Sequence, residues 1–215
     1  ITFQNECAAI RIDDQLCKQG KGITLYSSFK QNLKGDKIYT VFEDSEGDEW
    51  ILTNKGISII GKKQVDSDFP FQYIKEADGI IYLVSQSDKL ASYNFKTRQF
   101  KFIEIPYHVS MINEVKKFDS NTLLLATDNG LIIYKIKEKE FQLIDIRTST
   151  QPSNVVQSVY QDHYKELWIF PQTTGVIRYN PSTKEMQHLF TPADEVIRYE
   201  RKNKNVIFED RQHTL

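Results

Sequence analysis

The chain has little of what usually announces chemistry. Two cysteines, Cys7 and Cys17, and four histidines, His108, His163, His188 and His213, are spread with none of the paired spacing that encloses zinc. The cysteines flank a hairpin expected to turn at Asp13 and Asp14. An oxidising compartment would permit a bridge there, yet their positions are offset from the hairpin centre, so nothing requires one. Neither cysteine has His or acidic residues next to it in sequence, which argues against a thiol nucleophile. The nine glycines form no phosphate-cradling loop, and no Gly-x-Ser-x-Gly elbow occurs. No stretch approaches the roughly 18 apolar residues of a membrane span. The chain opens without Met and without a charged, apolar, small-residue leader. Charge of one sign is missing as well: 28 Lys and Arg against 29 Asp and Glu leave a net −1, with no footprint for nucleic acid or an anionic membrane. The expectation is no catalytic residue, no metal, no cofactor and no direct membrane contact.

What is present is a sentence that repeats. VFEDSEGDEWILTNKGISII at 41–60 returns as VYQDHYKELWIFPQTTGVIRY at 159–179, with weaker copies between. Val41, Ile74, Val115 and Val159 are equivalent anchors, at intervals of 33, 41 and 44 residues. Eight or nine positions after each comes a large apolar residue, Trp50, Tyr82, Leu124 or Trp168, and six or seven later a turn position, Gly56, Lys89, Gly130 or Gly175. Each unit then runs through a short apolar strand such as GISII or GLIIY and ends in a segment such as QFKFIEI, EFQLIDI or EMQHLF. That is four strands per unit, at a period near forty.

A four-stranded sheet that is apolar on both faces cannot hide either alone, so successive sheets must stack. With 40% hydrophobic and 12% aromatic residues there is material for such a core. The predicted class is all-β: a β-propeller with about five blades, near 1–29, 30–66, 67–105, 106–147 and 148–190, and a partial one at 191–215. Leu16, Gly22 and Tyr26 fit a degenerate first blade. NVIFEDRQHTL at 205–215 repeats the start of the unit at 41, whereas a competing register makes Val196–Glu200 and Asn205–Glu209 the two inner strands of the last unit. Five blades could close a small ring; the partial sixth favours a piece of a larger, seven-bladed propeller.

Glu43, Asp44, Asp162, Glu209 and Asp210 fall where the first strand meets its hairpin. A glycan-cleaving propeller would need carboxylates aimed at the axis from the innermost strands. Repetition in blade after blade suits turn chemistry instead, because Asp before Ser-Glu-Gly can bond its own turn backbone. DSEGDE at 44–49 is not a calcium loop: Gly47 is fourth from Asp44, not sixth, and Lys55 stands where a twelfth-position Glu is required.

The string VFEDSEGDEWILTNKGI at 41–57 resembles the two-component regulator propeller repeat, and Asn154, Val155, Asp162, Trp168, Gly175 and Tyr179 keep that pattern in the later copy, with ATDNGLIIY at 126–134 keeping its Thr and Gly-Leu elements. The match departs at Ala77, Lys89 and Phe118, and where Phe170, Pro171 and Gln172 follow the second Trp. The resemblance implies the extracytoplasmic, periplasmic sensor region of a hybrid two-component system of Bacteroides-type bacteria. Such proteins carry two propellers, an immunoglobulin-like domain, a membrane helix, a histidine kinase, a receiver and a DNA-binding domain, and many respond to glycan fragments. The expected partners are therefore an oligosaccharide and the rest of the sensor ectodomain or a second protomer.

Ligands of propellers meet the loops between blades and the second-to-third strand turns. Those loops carry Asn32, Lys37, Tyr107, His108, Gln151 and Asn154, and from the turns Lys55, Asp128 and Gln172. An aromatic face stacks on a sugar ring while amides pair its hydroxyls, which makes Tyr107 and His108 the leading pair. Three classes remain open on the residues: a glycan-sensing propeller without turnover, a packing propeller that only binds protein, and a glycan-cleaving enzyme.

Overall fold

The computed structural model describes the backbone of residues 8–12 and 23–27, and residues 33–61 and 67–189 apart from 78, 86, 95, 96, 98, 150 and 174. Cys7, Cys17, Leu16, Gly22, Asn32, Glu209, Asp210, His213 and the expected partial blade at 191–215 lie outside the described residues.

Every described element is a strand, and every pairing is antiparallel between neighbours in sequence. The first sheet holds β1 (Ala8–Ile12) and β2 (Ile23–Ser27), and the second β3 (Ile38–Glu43), β4 (Glu49–Thr53) and β5 (Gly56–Ile60). The third holds β6 (Tyr73–Ala77), β7 (Ile80–Val84), β8 (Leu90–Asn94) and β9 (Gln99–Ile103). The fourth is β10 (Ile112–Asp119), β11 (Thr122–Thr127), β12 (Gly130–Lys135) and β13 (Glu140–Ile144), and the fifth β14 (Val156–Gln161), β15 (Leu167–Pro171), β16 (Val176–Tyr179) and β17 (Met186–Leu189). One expectation changes here. A hairpin turning at Asp13 and Asp14 would pair β1 with the residues just after it, whereas the described partner of β1 is β2, in register Ala8 to Ser27.

The chain forms two compact units, Ile1–Glu104 and Ile105–Leu215. Within the first, Trp50, Leu52 and Ile57 of the β3–β5 sheet pack on Ile74, Ile81, Leu83, Ala91 and Tyr93 of the β6–β9 sheet. Within the second, Leu124, Ala126, Leu131 and Ile133 pack on Val156, Val159, Leu167, Ile169, Ile177 and Tyr179. Two of the anchors thus share one job. Ile74 and Val159 sit on the first strand of a sheet and meet the second and third strands of the sheet before it, so the alternation of the strand sends Trp50 and Leu124 forward and the anchor backward.

Polar ties fix the stacking. Thr40 Oγ1 donates to Gln72 O at 2.7 Å, and Ser45 donates its backbone N–H to Glu76 Oε2 at 2.8 Å and its hydroxyl to the other oxygen. In the second unit Asn113 Nδ2 donates to Val156 O at 2.7 Å and Val159 N to Glu114 Oε2 at 3.0 Å. In the second unit these bonds satisfy edge groups of the first strand β14, Val156 O and Val159 N, between sheets. No helix among the described residues is long and apolar enough to cross a membrane.

Candidate ligand-binding loops

The repeated letters account for two local constructions. In the first, a buried carboxylate closes the hairpin between first and second strands. Asp44 Oδ1 accepts from Glu46 N at 2.9 Å and Asp48 N at 3.1 Å, and Oδ2 accepts from Trp50 Nε1 at 2.8 Å. Asp162 does the same, taking Glu166 N at 2.9 Å and Trp168 Nε1 at 2.9 Å. Residues six apart meet because the hairpin folds the second strand back along the first. The turn role expected of Asp44 and Asp162 is present, and the link to Trp is the part that sequence reading missed. Its signal was the equal Asp-to-Trp spacing in both copies.

In the second construction, a Thr-x-x-Gly turn joins second and third strands. Thr53 Oγ1 donates to Gly56 O at 2.8 Å and accepts from Lys55 N; Thr127 Oγ1 donates to Gly130 O at 2.7 Å and accepts from Asn129 N. Both glycines lie at positive φ, 127° and 102°. Both threonines are buried, so their hydroxyls complete the turn where water does not reach.

The turn at Thr127–Gly130 supports the loops at one end of the second unit. Asn129 Nδ2 donates to His108 O at 2.9 Å, and Asp128 accepts from Ser110 N at 3.1 Å. Asn154 Nδ2 donates to Asn129 Oδ1 at 3.1 Å, its Oδ1 accepts from Ile146 N at 2.9 Å, and its carbonyl accepts from Gly130 N at 2.6 Å. Gln151, also buried, gives its amide to Ser153 O and takes the Thr173 hydroxyl. The Tyr107 hydroxyl donates to Phe141 O at 3.0 Å. The structure therefore brings the loop of Tyr107 and His108, the turn of Asp128 and Asn129, Asn154, and the pair Gln151 and Thr173 beside Gln172 into this one unit. Within it Gln151 and Asn154 spend their amides on the scaffold, while His108 and Gln172 are exposed. Lys37 belongs to the other unit, exposed, with Nζ 5.4 Å from the Tyr39 ring centroid and its backbone N–H on Asn54 Oδ1.

Asp145, at the mouth of the same loops, accepts both Arg147 Nε contacts at 2.9 and 3.0 Å, and the Arg147 hydrogen bond holds its carboxyl below the usual carboxylate range. Because the folded pKa is depressed, the bond favours the fold above the unfolded pKa, and that contribution fades as pH falls through the folded value. Arg147→Ala is expected to return Asp145 upward toward the ordinary Asp value, read by carboxyl-detected NMR titration.

Among the described residues no group of three or more His, Cys, Asp and Glu side chains could hold a metal ion. A cavity of about 400 Å³ lies elsewhere, lined by Glu166, Arg178, Asn180, Glu185, Met186 and Gln187.

Comparison with solved structures decides the architecture. Virginiamycin B lyase from Staphylococcus aureus superposes with a TM-score of 0.64 at 16% identity, over 86% of this chain and 64% of the lyase chain. The extracellular domain of a hybrid two component system from B. thetaiotaomicron gives 0.56 at 20% identity, over 70% of this chain and 21% of that one. The fold is a β-propeller. The structural neighbours of this propeller include further extracellular domains of B. thetaiotaomicron regulatory systems, at TM-scores of 0.57 and 0.55. In sequence it is 22% identical over 156 residues to a protein named histidine kinase P4 from Formosa agariphila. That alignment covers 72% of this chain and 9% of the kinase, so the propeller spans a small part of its curated relative. No family model matches the chain.

Proposed function

We propose that this propeller is the ligand-sensing part of the extracytoplasmic, periplasmic region of a membrane-bound two-component histidine kinase, and that it recognises glycan fragments without turning them over. The observation that carries the reading is the alignment of 72% of the chain with a protein named as a histidine kinase, joined to the likeness to extracellular domains of two-component systems. The chemistry of the repeats supports it. Asp44 and Asp162, the carboxylates that recur by position, are buried and filled with N–H donors from their own hairpin and their own Trp. A general acid or base must instead reach a substrate.

A glycan would meet the second unit on the loops around His108, where the exposed imidazole and the exposed Gln172 offer a flat face and an amide. Calorimetric titration of the intact ectodomain with a panel of oligosaccharides is expected to show saturable binding, with the sugar recovered unchanged by mass spectrometry. His108→Ala is expected to weaken it about tenfold, or 1.4 kcal/mol. Silence across the panel overturns the glycan assignment. Release of a shortened or unsaturated sugar overturns the absence of turnover and favours the lyase-like reading that the Staphylococcus aureus structure keeps in view.

A further inference from the structure

The turn that joins β11 to β12 holds the only Asn-Gly pair of the chain, Asn129–Gly130. Such a pair carries a reaction of its own. With no side chain on the following residue, the glycine backbone nitrogen can approach the asparagine amide carbon and close a five-membered imide.

The first unit shows that the turn itself does not need asparagine. Thr53, Lys55 and Gly56 build it in the same way, with the threonine hydroxyl on the glycine carbonyl and the Lys55 N–H on the threonine oxygen. Lys55 stands where Asn129 stands. What Asn129 adds is a link between loops: Nδ2 donates to His108 O at 2.9 Å, and Oδ1 accepts from Asn154 Nδ2 at 3.1 Å. The nitrogen that would attack is occupied too, since Gly130 N donates to Asn154 O at 2.6 Å. Asn154 is buried and its Oδ1 is held by Ile146 N, so the groups that grip 129–130 are themselves fixed. Asn129 is half-buried, within reach of water.

We propose that Asn129 is a site of spontaneous deamidation, held off in the fold by Asn154, whose conversion releases the loop that carries His108. In the reaction Gly130 N loses its proton and bonds to Asn129 Cγ, the Cγ–Nδ2 bond breaks, and ammonia leaves with that proton. Water then opens one of the two carbonyl–nitrogen bonds of the imide, leaving aspartate or, where the chain now runs through Cγ, isoaspartate. Water is the only other reactant. Both products exchange an N–H donor for a carboxylate, which only accepts. Set against the His108 carbonyl, that carboxylate faces oxygen with oxygen, and it places a second acid beside Asp128 on the same turn. Loss of sugar binding after conversion rests on the glycan reading above, whereas the conversion and the loop release are measured with no ligand present.

The intact chain is kept warm in mildly alkaline buffer, folded or in urea, and mapped by mass spectrometry for aspartate and isoaspartate at position 129. In urea Asn129 is expected to convert before every other asparagine, and in the fold at least roughly tenfold more slowly, since reaction then waits for local opening. Asn154→Ala is expected to recover much of the lost rate while circular dichroism shows the sheets retained. If that variant does not fold, Asn154→Asp, which keeps an oxygen for Ile146 N and loses the donor, replaces it. Loop release is read by amide hydrogen exchange over residues 107–111, expected to quicken about tenfold in Asn129→Asp and far less in Asn129→Gln, which keeps an amide. Equal rates in the fold and in urea overturn the proposal, as does a folded rate unmoved by the Asn154 change. Unaltered exchange over 107–111 in Asn129→Asp overturns the release of the loop.

Discussion

Trp50→Ala is expected to lower the stability of the first unit by about 3–5 kcal/mol, the range for emptying a large aromatic site in a packed core. Trp50 has no exposed surface, meets Tyr93 edge-to-face at 5.6 Å and 74°, and lies in one cluster with Leu52, Ile74, Ile81 and Leu83. The alanine removes that packing and also takes a donor from Asp44, a carboxylate that is 5% exposed. Trp50→Phe separates the two effects: most of the volume stays, the N–H goes, and the expected loss is about 1–2 kcal/mol. Urea unfolding followed by circular dichroism measures both. A loss near 1 kcal/mol or less for the alanine would mean that the sheets close over the gap, contrary to the fixed spacing that the Thr40 and Ser45 ties impose.

Gly56→Ala is expected to cost about 2–4 kcal/mol, from a strained φ and a broken bond together. Gly56 lies at φ 127°, and an added Cβ would come 2.1 Å from Ser67 O. That oxygen is backbone, so it cannot swing aside, and it accepts the Ile57 N–H at 3.0 Å. Moving it breaks the contact that leads the chain from the β3–β5 sheet into the next. The change is measured by the urea midpoint, and a variant as stable as the parent would show that the 67–68 backbone yields freely. The repeat makes Gly130 a second case, since a Cβ there would meet Ile144 O at 2.6 Å.

Much of the architecture was legible because stacking is a local, repeated problem. Val41, Ile74, Val115 and Val159 all stand on first strands, and Trp50, Tyr82, Leu124 and Trp168 all on second strands. Their spacing is set by strand length and hairpin, which a period of about forty exposes directly. The loops were legible only as loops. Asn154 and Gln151 read as amides available to a sugar, yet Asn154 ties together the 146 backbone and Asn129, and Gln151 holds Ser153 and Thr173. Such partners come from neighbouring loops of other lengths, so no period points to them. The tie between Asp44 and Trp50 was hidden for a different reason: Asp reads as turn chemistry and Trp as packing, and only the folded-back hairpin shows that they are one device.

The order of the strands also bears on how quickly such a chain assembles. Among the described residues every pairing joins neighbours in sequence, so none of the described pairings waits for a distant strand to arrive. Loop-closure cost stays small at each step, and hairpins such as Phe42–Asp44 with Asp48–Trp50 can form early and alone. The slow events are then the stacking steps, when Ile74 reaches Trp50 and Val159 reaches Leu124. A substitution at a hairpin should chiefly alter how fast one sheet appears, and one at an anchor how fast neighbouring sheets find each other.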